Sequence, residues 1–400
     1  MKVLIIGLGL VGTNICKMLF SSGVVSKLIC CDKNISNVKN SFKDCSTILT
    51  SVTFEKLDAS KESEIKKFAK NADIVVNASL PKFNIKIMKS CLDVGANYLD
   101  LASNNYGKAE QLSLHNDFVR EGLTAIINAG VSPGLTNLMA KWCSDVLEEI
   151  DVLKIRLVED QMPYWRVWSW SPYLTIEHFA SPPIVYDNGR FKIEEPLGSM
   201  EDYNFPSPIG KRRTYLIYGD EITTIPNYIE LKRLDLKSGG SEVEFVKGLY
   251  NLGLFRNDAI KVERKSITPI KVLYRLSKEF NGYSPIDHLY ALDEMLIAVS
   301  VEAIGIKGFE KSIARIHALP PNLRKLLNNN IVATPTAFSA AAVASALIEV
   351  FQNIRSVGVY PLEALDNNLR GNILSNLNEH YNIEIIYEPI RVLKDITSKL

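Results

Sequence analysis

Short apolar runs alternate with amphipathic segments over the first 130 residues of the chain. The runs lie at residues 3–6, 27–31, 72–78, 97–101 and 124–127. Most are rich in Val, Ile, Leu or Ala, and the segments between them have helical periodicity, as expected where strands alternate with helices. This region is therefore predicted to form an α/β fold with a doubly wound parallel sheet.

The pattern changes near residue 151. Residues 151–160 alternate apolar and polar side chains, and residues 184–235 form short alternating runs that Pro and Gly interrupt. These features predict a mixed α+β domain, and a long Ala-rich helix follows Thr334. We expect three segments, at residues 1–135, 136–330 and 331–400.

A glycine-rich segment connects the first predicted strand to the first predicted helix. Gly7 permits a tight turn, Gly9 lets a pyrophosphate approach the backbone, and Gly12 allows the helix to pack closely on the strand. The helix N-terminus then presents unpaired N–H groups to the phosphates. This setting predicts a Rossmann domain that binds a nicotinamide dinucleotide. The expected contacts are Gly7, Leu8, Gly9, Leu10, Val11 and Gly12.

The residues that follow the next strands predict which dinucleotide binds. Asp32 ends the second strand, where an acidic residue hydrogen-bonds the ribose 2′-OH of NAD. Lys33 leaves NADP as the alternative, because its ammonium group can pair with a 2′-phosphate. Strand C-termini border the ligand crevice in open parallel sheets. The other cofactor contacts expected there are Asp58, Asn77, Ala78 and Ser79.

Composition narrows the class of protein. The 400 residues favour more than one domain, and 46 basic against 45 acidic residues argue against a nucleic-acid or membrane-surface role driven by charge. The six cysteines show no CxxC spacing, and no signal peptide or metal-binding motif is present, so we expect a cytoplasmic enzyme without a metal. The apolar run at 337–351 is short for a membrane span.

The motifs together resemble the saccharopine dehydrogenase-like family, which includes saccharopine reductases, L-lysine 6-dehydrogenases and carboxynorspermidine dehydrogenases. The resemblance rests on GLGLVG, DIVVNASLP, ANYLDLASN, GVSPGLTNLMA, WSWSP, EFVKGLYNLGLF, TPTAFSAAAVASAL and GVYPLE, in that order. It implies an NAD(P)-dependent oxidoreductase of amino-acid metabolism, such as lysine metabolism, that acts on a C–N bond. It also implies a homodimer whose contact lies in the mixed domain, and a C-terminal segment that packs back on the Rossmann domain.

The substrate is expected to be a saccharopine-like secondary amine. Ser132 precedes Pro-Gly where several relatives have an acidic residue, and this feature keeps L-lysine oxidation open as an alternative, beside carboxynorspermidine. A different alternative is a regulatory protein that binds NAD(P) without catalysis, because no residue stands out as the acid or base.

Transfer of a hydride at a C–N bond requires a group that handles a proton. Three residues beyond strand ends are candidates for this role: Asp100, Tyr98 and Lys82. Arg212 and Arg213 are expected to clamp a carboxylate, and His178 is a further candidate near the site. The other expected substrate contacts are Ser103, Asn104, Ser132, Pro133, Gly134, Asn137, Trp168, Ser169 and Trp170.

Overall fold

Two β-sheets organise the protein. The computed structural model describes residues 1–36, 42, 46–103, 110–160, 171–279, 296–328 and 334–390. The strands are β1 Lys2–Ile6, β2 Lys27–Asp32, β3 Thr53–Lys56, β4 Ile74–Asn77, β5 Asn97–Asp100, β6 Thr124–Ile126, β7 Glu149–Asp160, β8 Ile184–Asp187, β9 Arg190–Ile193, β10 Glu201–Asn204, β11 Lys211–Leu216, β12 Arg233–Gly239, β13 Ile260–Val262, β14 Lys265–Ile267, β15 Leu296–Lys307, β16 Glu310–Leu319, β17 Gly358–Tyr360 and β18 Asn382–Pro389.

Helices connect and cover these strands. They are α1 Leu10–Ser22, α2 Ser46–Ser51, α3 Glu62–Ala69, α4 Asn84–Val94, α5 His115–Arg120, α6 Leu135–Val146, α7 Pro172–Ala180, α8 Glu221–Thr224, α9 Ser241–Asn251, α10 Pro269–Glu279, α11 Leu323–Asn328, α12 Pro335–Val350 and α13 Asn367–Asn378. Short 3₁₀ helices lie at Pro81–Phe83, Glu110–Leu114, Ile225–Asn227, Phe351–Asn353 and Leu362–Ala364.

The first sheet has seven strands in the order β17-β6-β5-β4-β1-β2-β3, and every pair is parallel. Six of them reproduce the 3-2-1-4-5-6 order of a dinucleotide-binding fold. Alternate residues of β1 enter two different apolar clusters, one on each face of the sheet. The prediction of a doubly wound parallel sheet is confirmed.

The second sheet is mixed, as predicted for an α+β domain. Its main path runs β10-β11-β12-β7-β15-β16-β18, with β8 and β9 attached beside β12. Strands β7 and β12 are parallel, and the other pairs are antiparallel. Helix α6 leads from the first sheet into this domain and packs on β15 and β16. One apolar cluster therefore continues from the first sheet through α6 to the second.

The C-terminal segment divides between the two sheets. Helix α12 packs against α1, and β17 extends the first sheet beside β6. Strand β18 instead pairs with β16 of the second sheet, so the prediction that the whole tail packs on the Rossmann domain is wrong for this strand. Within the described residues, Pro335–Asn353 is long and apolar enough to span a membrane, but 78% of its apolar window is buried inside the protein, as in a core helix.

Candidate active site

A cleft of about 1210 Å³ lies between the two sheets. One wall consists of the glycine-rich loop and the residues after β2, β3, β4 and β5, at the carboxyl edge of the parallel sheet. The other wall comes from β7, β12, β15, α7, α9 and α12. This is the edge at which open α/β sheets bind their ligands, so the cleft is the candidate active site.

The glycine-rich loop leaves its backbone open to the cleft. A Cβ atom on Gly12 would lie 1.9 Å from the Gly7 carbonyl oxygen, so only glycine fits between the helix and the turn. A Cβ on Gly9 would meet no atom within 4 Å, because this residue faces the open cleft. Gly9 also precedes the first residue of α1. A pyrophosphate therefore fits here, against bare backbone and the N-terminus of a helix.

Charged side chains surround the far end of the cleft, where the adenosine of a dinucleotide would lie. The Asp32 carboxylate accepts hydrogen bonds from the backbone N–H groups of Leu8 and Asn34, both at 2.8 Å. The Lys33 ammonium lies 3.1 Å from the Asp58 carboxylate. Hydrogen bonds from Ser60, followed by the contact with Lys33, hold the pKa of Asp58 well below its ordinary value.

Asn77 joins two strand ends at the opposite end of the cleft, where the nicotinamide of a dinucleotide would lie. Its side-chain oxygen accepts from the Ser79 N–H at 3.0 Å and from the Ser79 hydroxyl at 2.5 Å. Its amide group donates to Asn84 at 2.7 Å, and Asn84 donates to the Ala102 carbonyl at 2.9 Å. Asn77, Ala78, Ser79 and Ala102 all line the cleft. The loops after β4 and β5 are thus fixed relative to one another.

Ser132 connects the cleft to a buried carboxyl group. Its hydroxyl donates to Glu221, and the Thr136 hydroxyl donates to the same oxygen at 3.0 Å. Glu221 has no exposed surface, and burial raises the pKa of its carboxyl from 4.5 to about 7. Its second oxygen has no hydrogen-bond partner among the described residues. Glu221 was not among the predicted site residues, although an Asp-Glu pair within the apolar segment 215–225 is a signal for buried charge.

A second buried carboxyl group, that of Glu363, fixes the start of α6. Asn137 donates to Glu363 at 2.9 Å and accepts from the Gly134 N–H at 2.8 Å. Burial raises the pKa of Glu363 from 4.5 to about 7. Neither Asn137 nor Gly134 lines the cleft, so the prediction that they contact substrate is replaced by a supporting role.

Two carboxylates and an imidazole line the cleft from the second domain. Glu159 is the last residue but one of β7 and accepts a hydrogen bond from Thr336, and the buried Glu242 lies in the first turn of α9. His178 of α7 borders both the cleft and a side pocket of about 50 Å³. Burial lowers the pKa of His178 to about 4, so its imidazole is neutral at pH 7. Neither carboxylate was predicted, because their positions depend on contacts between distant segments.

The sequence matches known families along nearly its whole length. Residues 3–126 match the saccharopine dehydrogenase NADP binding domain, and residues 130–383 match the saccharopine dehydrogenase C-terminal domain. The chain belongs to the saccharopine dehydrogenase family. This family consists of NAD(P)-dependent dehydrogenases of amine-bearing substrates, and the protein is an oxidoreductase of that class.

Curated relatives of this saccharopine dehydrogenase family member share about a quarter of its aligned residues. A carboxyaminopropylagmatine dehydrogenase of Synechocystis is 25% identical over 297 residues, covering 68% of this chain and 71% of the relative. A carboxynorspermidine synthase of Vibrio cholerae is 25% identical over 275 residues, covering 64% of this chain and 65% of the relative. The match thus spans slightly less than two thirds of the Vibrio enzyme.

Two solved structures share the fold of this chain. Apo saccharopine dehydrogenase (L-Glu forming) from Saccharomyces cerevisiae has a TM-score of 0.70 at 13% identity, covering 96% of this chain and 99% of that chain. Homospermidine synthase from Legionella pneumophila, solved in complex with NAD, has a TM-score of 0.67 at 13% identity, covering 97% of this chain and 91% of that chain.

The structure corrects the predicted proton-handling residues. Tyr98 is buried in the core on one face of the first sheet. Asp100 is also buried, and its carboxylate accepts from the Asn128 N–H at 2.7 Å. Burial raises the pKa of Asp100 to about 7, but neither side chain lines the cleft. Lys82 does line it, with its ammonium 5.1 Å from the centre of the Phe83 ring.

The two arginines of the predicted clamp lie apart from the described cleft. Arg212 pairs with Asp160 at 2.9 Å, and Arg213 is exposed with Asp202 at 4.0 Å. Neither arginine lines the cleft. Ser103 and Pro133 border the side pocket, whereas Ser132 borders both spaces. Four predicted substrate contacts lie outside the described residues: Asn104, Trp168, Ser169 and Trp170.

The predicted cofactor contacts separate into two groups. Those that line the cleft are Gly7, Gly9, Leu10, Val11, Asp32, Lys33, Asp58, Asn77, Ala78 and Ser79. Leu8 and Gly12 lie behind the loop, where Leu8 is buried and its N–H orients Asp32.

Proposed function

We propose that the protein oxidises or reduces a C–N bond in a secondary amine that carries a carboxylate and a further cationic amine, as carboxynorspermidine does. The charge of the second-domain wall carries this proposal. Glu159 and Glu242 line that wall, and the described Lys side chains that line the cleft, Lys33 and Lys82, both come from the Rossmann wall. An anionic wall attracts an ammonium group. Saccharopine, with three carboxylates, suits it less well.

The names of the curated relatives support this choice of substrate class. One relative is a carboxynorspermidine synthase and another is a carboxyaminopropylagmatine dehydrogenase, so both act on polyamine derivatives that carry a carboxyl group. Lysine remains the second candidate, because its terminal ammonium group would suit the same carboxylates.

Ser132 and Glu221 are proposed to handle the proton. The nicotinamide ring of the bound cofactor accepts or supplies the hydride. As the amine is oxidised, Ser132 accepts its proton and passes its own hydroxyl proton to Glu221; reduction reverses both transfers. The hydrogen bond between the two side chains supports this route, and a carboxyl with a pKa of about 7 suits it. Lys82 and the neutral His178 are then left to orient the substrate.

The remaining proposals concern cofactor choice, assembly and location. Asp32 at the adenosine end favours NAD over NADP. A homodimer is supported by exposed apolar side chains on β18, at the edge of the second sheet, where Ile385 is 53% and Tyr387 43% exposed. A cytoplasmic location is supported by cysteines that are free and buried throughout the described residues.

Steady-state kinetics with carboxynorspermidine, saccharopine and lysine test the function, with formation of NADH or NADPH as the signal. We expect the highest kcat/KM with carboxynorspermidine and NAD. Glu242→Gln should raise the KM for this amine about tenfold, because it removes one cleft carboxylate. Glu244→Gln is the matched control, since Glu244 lies on the same helix but hydrogen-bonds Tyr215 outside the cleft. Higher kcat/KM with saccharopine, or equal effects of the two variants, would contradict the proposal.

A further inference from the structure

We infer that Asp58 is a cofactor-specificity residue that acts against NADP by holding Lys33 in an ion pair. This inference rests on the proposed nicotinamide cofactor and deepens the choice between its two forms. Lys33 follows Asp32, beside which the 2′ position of the adenosine ribose would lie. A lysine at this position is suited to bind a 2′-phosphate, provided that its ammonium group is available.

The fold places the two partners side by side. Strands β2 and β3 are parallel neighbours with Asp32 opposite Lys56, so the residues that follow them emerge at the same sheet edge. The Lys33 ammonium lies 3.1 Å from the Asp58 carboxylate, and both residues line the cleft.

Asp58 is the fixed member of the pair. Its carboxylate accepts from the N–H and the hydroxyl of Ser60 at 3.0 and 2.7 Å, and its own N–H donates to Glu64 at 2.8 Å. The Lys33 side chain is 69% exposed against 21% for Asp58. Lys33 is therefore the partner that would have to move toward a phosphate, and Asp58 holds it back.

The local charge opposes a phosphate while this pair persists. Asp32 and Asp58 each contribute one negative charge, and Lys33 contributes one positive charge, which leaves an excess of one negative charge beside the 2′ position. The dianionic 2′-phosphate of NADP is repelled, whereas the neutral 2′-hydroxyl of NAD is not. Without the Asp58 charge, the three residues would be neutral in sum and Lys33 would be free to bind the phosphate.

Asp58→Asn tests the inference, because asparagine retains an oxygen that can accept from Ser60. Fluorescence titrations with NADH and NADPH, at low salt and without an amine, give the ratio of the two dissociation constants. We expect Asp58→Asn to shift this ratio about tenfold toward NADPH, and the shift should shrink as salt is added. Any contact between Asp58 and the adenine affects both cofactors equally and cancels in the ratio.

Two controls make the result specific. Asp93→Asn changes the net charge equally and removes the partner of Lys66 at 2.6 Å, a pair that does not line the cleft, so the ratio should stay unchanged. In a Lys33→Met background, Asp58→Asn should lose most of its effect and keep only the part that comes from direct repulsion of the 2′-phosphate. An unchanged ratio in the single variant would overturn the role of Asp58, and a full shift without Lys33 would overturn the inference that it acts by holding Lys33. Failure of the wild-type protein to bind either cofactor would overturn the cofactor assignment itself, and this inference with it.

Discussion

The two walls of the cleft are built in different ways. The Rossmann wall presents backbone, in a loop where Gly9 is open and Gly12 has no room for a Cβ atom. The second-domain wall presents side chains such as Glu159 and Glu242, which lie on elements far apart in sequence. A short motif therefore encodes the cofactor side, whereas the substrate side exists only once the mixed sheet has formed.

Gly9→Val should have the largest effect and tests whether the Rossmann wall depends on bare backbone. Two lost hydrogen bonds to charged phosphate, at about 1.5–3 kcal/mol each, would weaken cofactor binding roughly a thousandfold. The open space around Gly9 and its φ of −71° accommodate a side chain, so the free energy of unfolding should change little. NADH titration and chemical denaturation measure the two effects separately.

Gly12→Ala and Gly248→Ala provide the contrast. The Cβ atom of Gly12→Ala would overlap the Gly7 carbonyl oxygen, which should destabilise the fold by about 1–3 kcal/mol. The Cβ atom of Gly248→Ala enters open space beside α9, so this variant should not be destabilised by a clash. Unimpaired NADH binding by Gly9→Val would show that the loop is not a phosphate site.

The same contrast explains how much was predictable from the sequence. The parallel sheet and the glycine loop follow from local periodicity and from steric limits on a few residues. The position of Tyr98 and Asp100 depends on where β5 ends, which the sequence alone does not specify. Both residues lie within this strand, on one of its two buried faces, whereas Leu101 and Ala102, beyond its end, line the cleft.

The buried carboxyl groups on the substrate side of the cleft were harder to predict from the sequence than the glycine-rich loop. Glu221 reaches Ser132 across 89 positions of sequence, and Asn137 reaches Glu363 across 226. No periodicity specifies such contacts, because they depend on the packing of α6 against α8 and the C-terminal segment. The two arginines lie apart from the described cleft for a related reason: Arg212 and Arg213 are toward the start of β11, whereas Ile217, just after its end, borders the cleft.

Glu221→Gln should have the next largest effect, and it tests whether the second wall supplies the proton route. Amine oxidation needs the deprotonated carboxylate, so the wild-type kcat should rise with pH through about 7, the raised pKa of Glu221. Glutamine cannot accept the proton. We expect this variant to lose the rise and to fall about a hundredfold in kcat at pH 8, with a smaller loss at pH 6.

Glu363→Gln is the matched control, since Glu363 has the same raised pKa but does not reach the cleft. It should retain the wild-type pH profile of kcat. The substitution should instead change the stability of the protein. The native carboxyl keeps its proton up to about pH 7, whereas unfolded chains lose it near pH 4.5, so the unfolding free energy of the wild type decreases as the pH rises from about 4.5 to 7. The variant lacks this loss. The unfolding free energy of Glu363→Gln minus that of wild type should therefore increase by at least about 1 kcal/mol as the pH is raised from 5 to 8. A rising kcat profile in Glu221→Gln would remove Glu221 from the proton route.

Arg213→Ala should have the smallest effect, and it tests whether the surface that binds substrate extends beyond the second-domain wall of the cleft. The side chain is 54% exposed, and its contact with Asp202 at 4.0 Å is a surface pair of little energetic weight. The amine KM should therefore stay within about twofold of wild type, and the unfolding free energy within about 0.5 kcal/mol. Lys211→Ala, which removes a neighbouring exposed cation paired with the same Asp202, controls for the change in net charge. A tenfold rise in KM specific to Arg213→Ala would mean that the clamp predicted from the sequence does reach the substrate, and that substrate recognition extends beyond the described cleft walls.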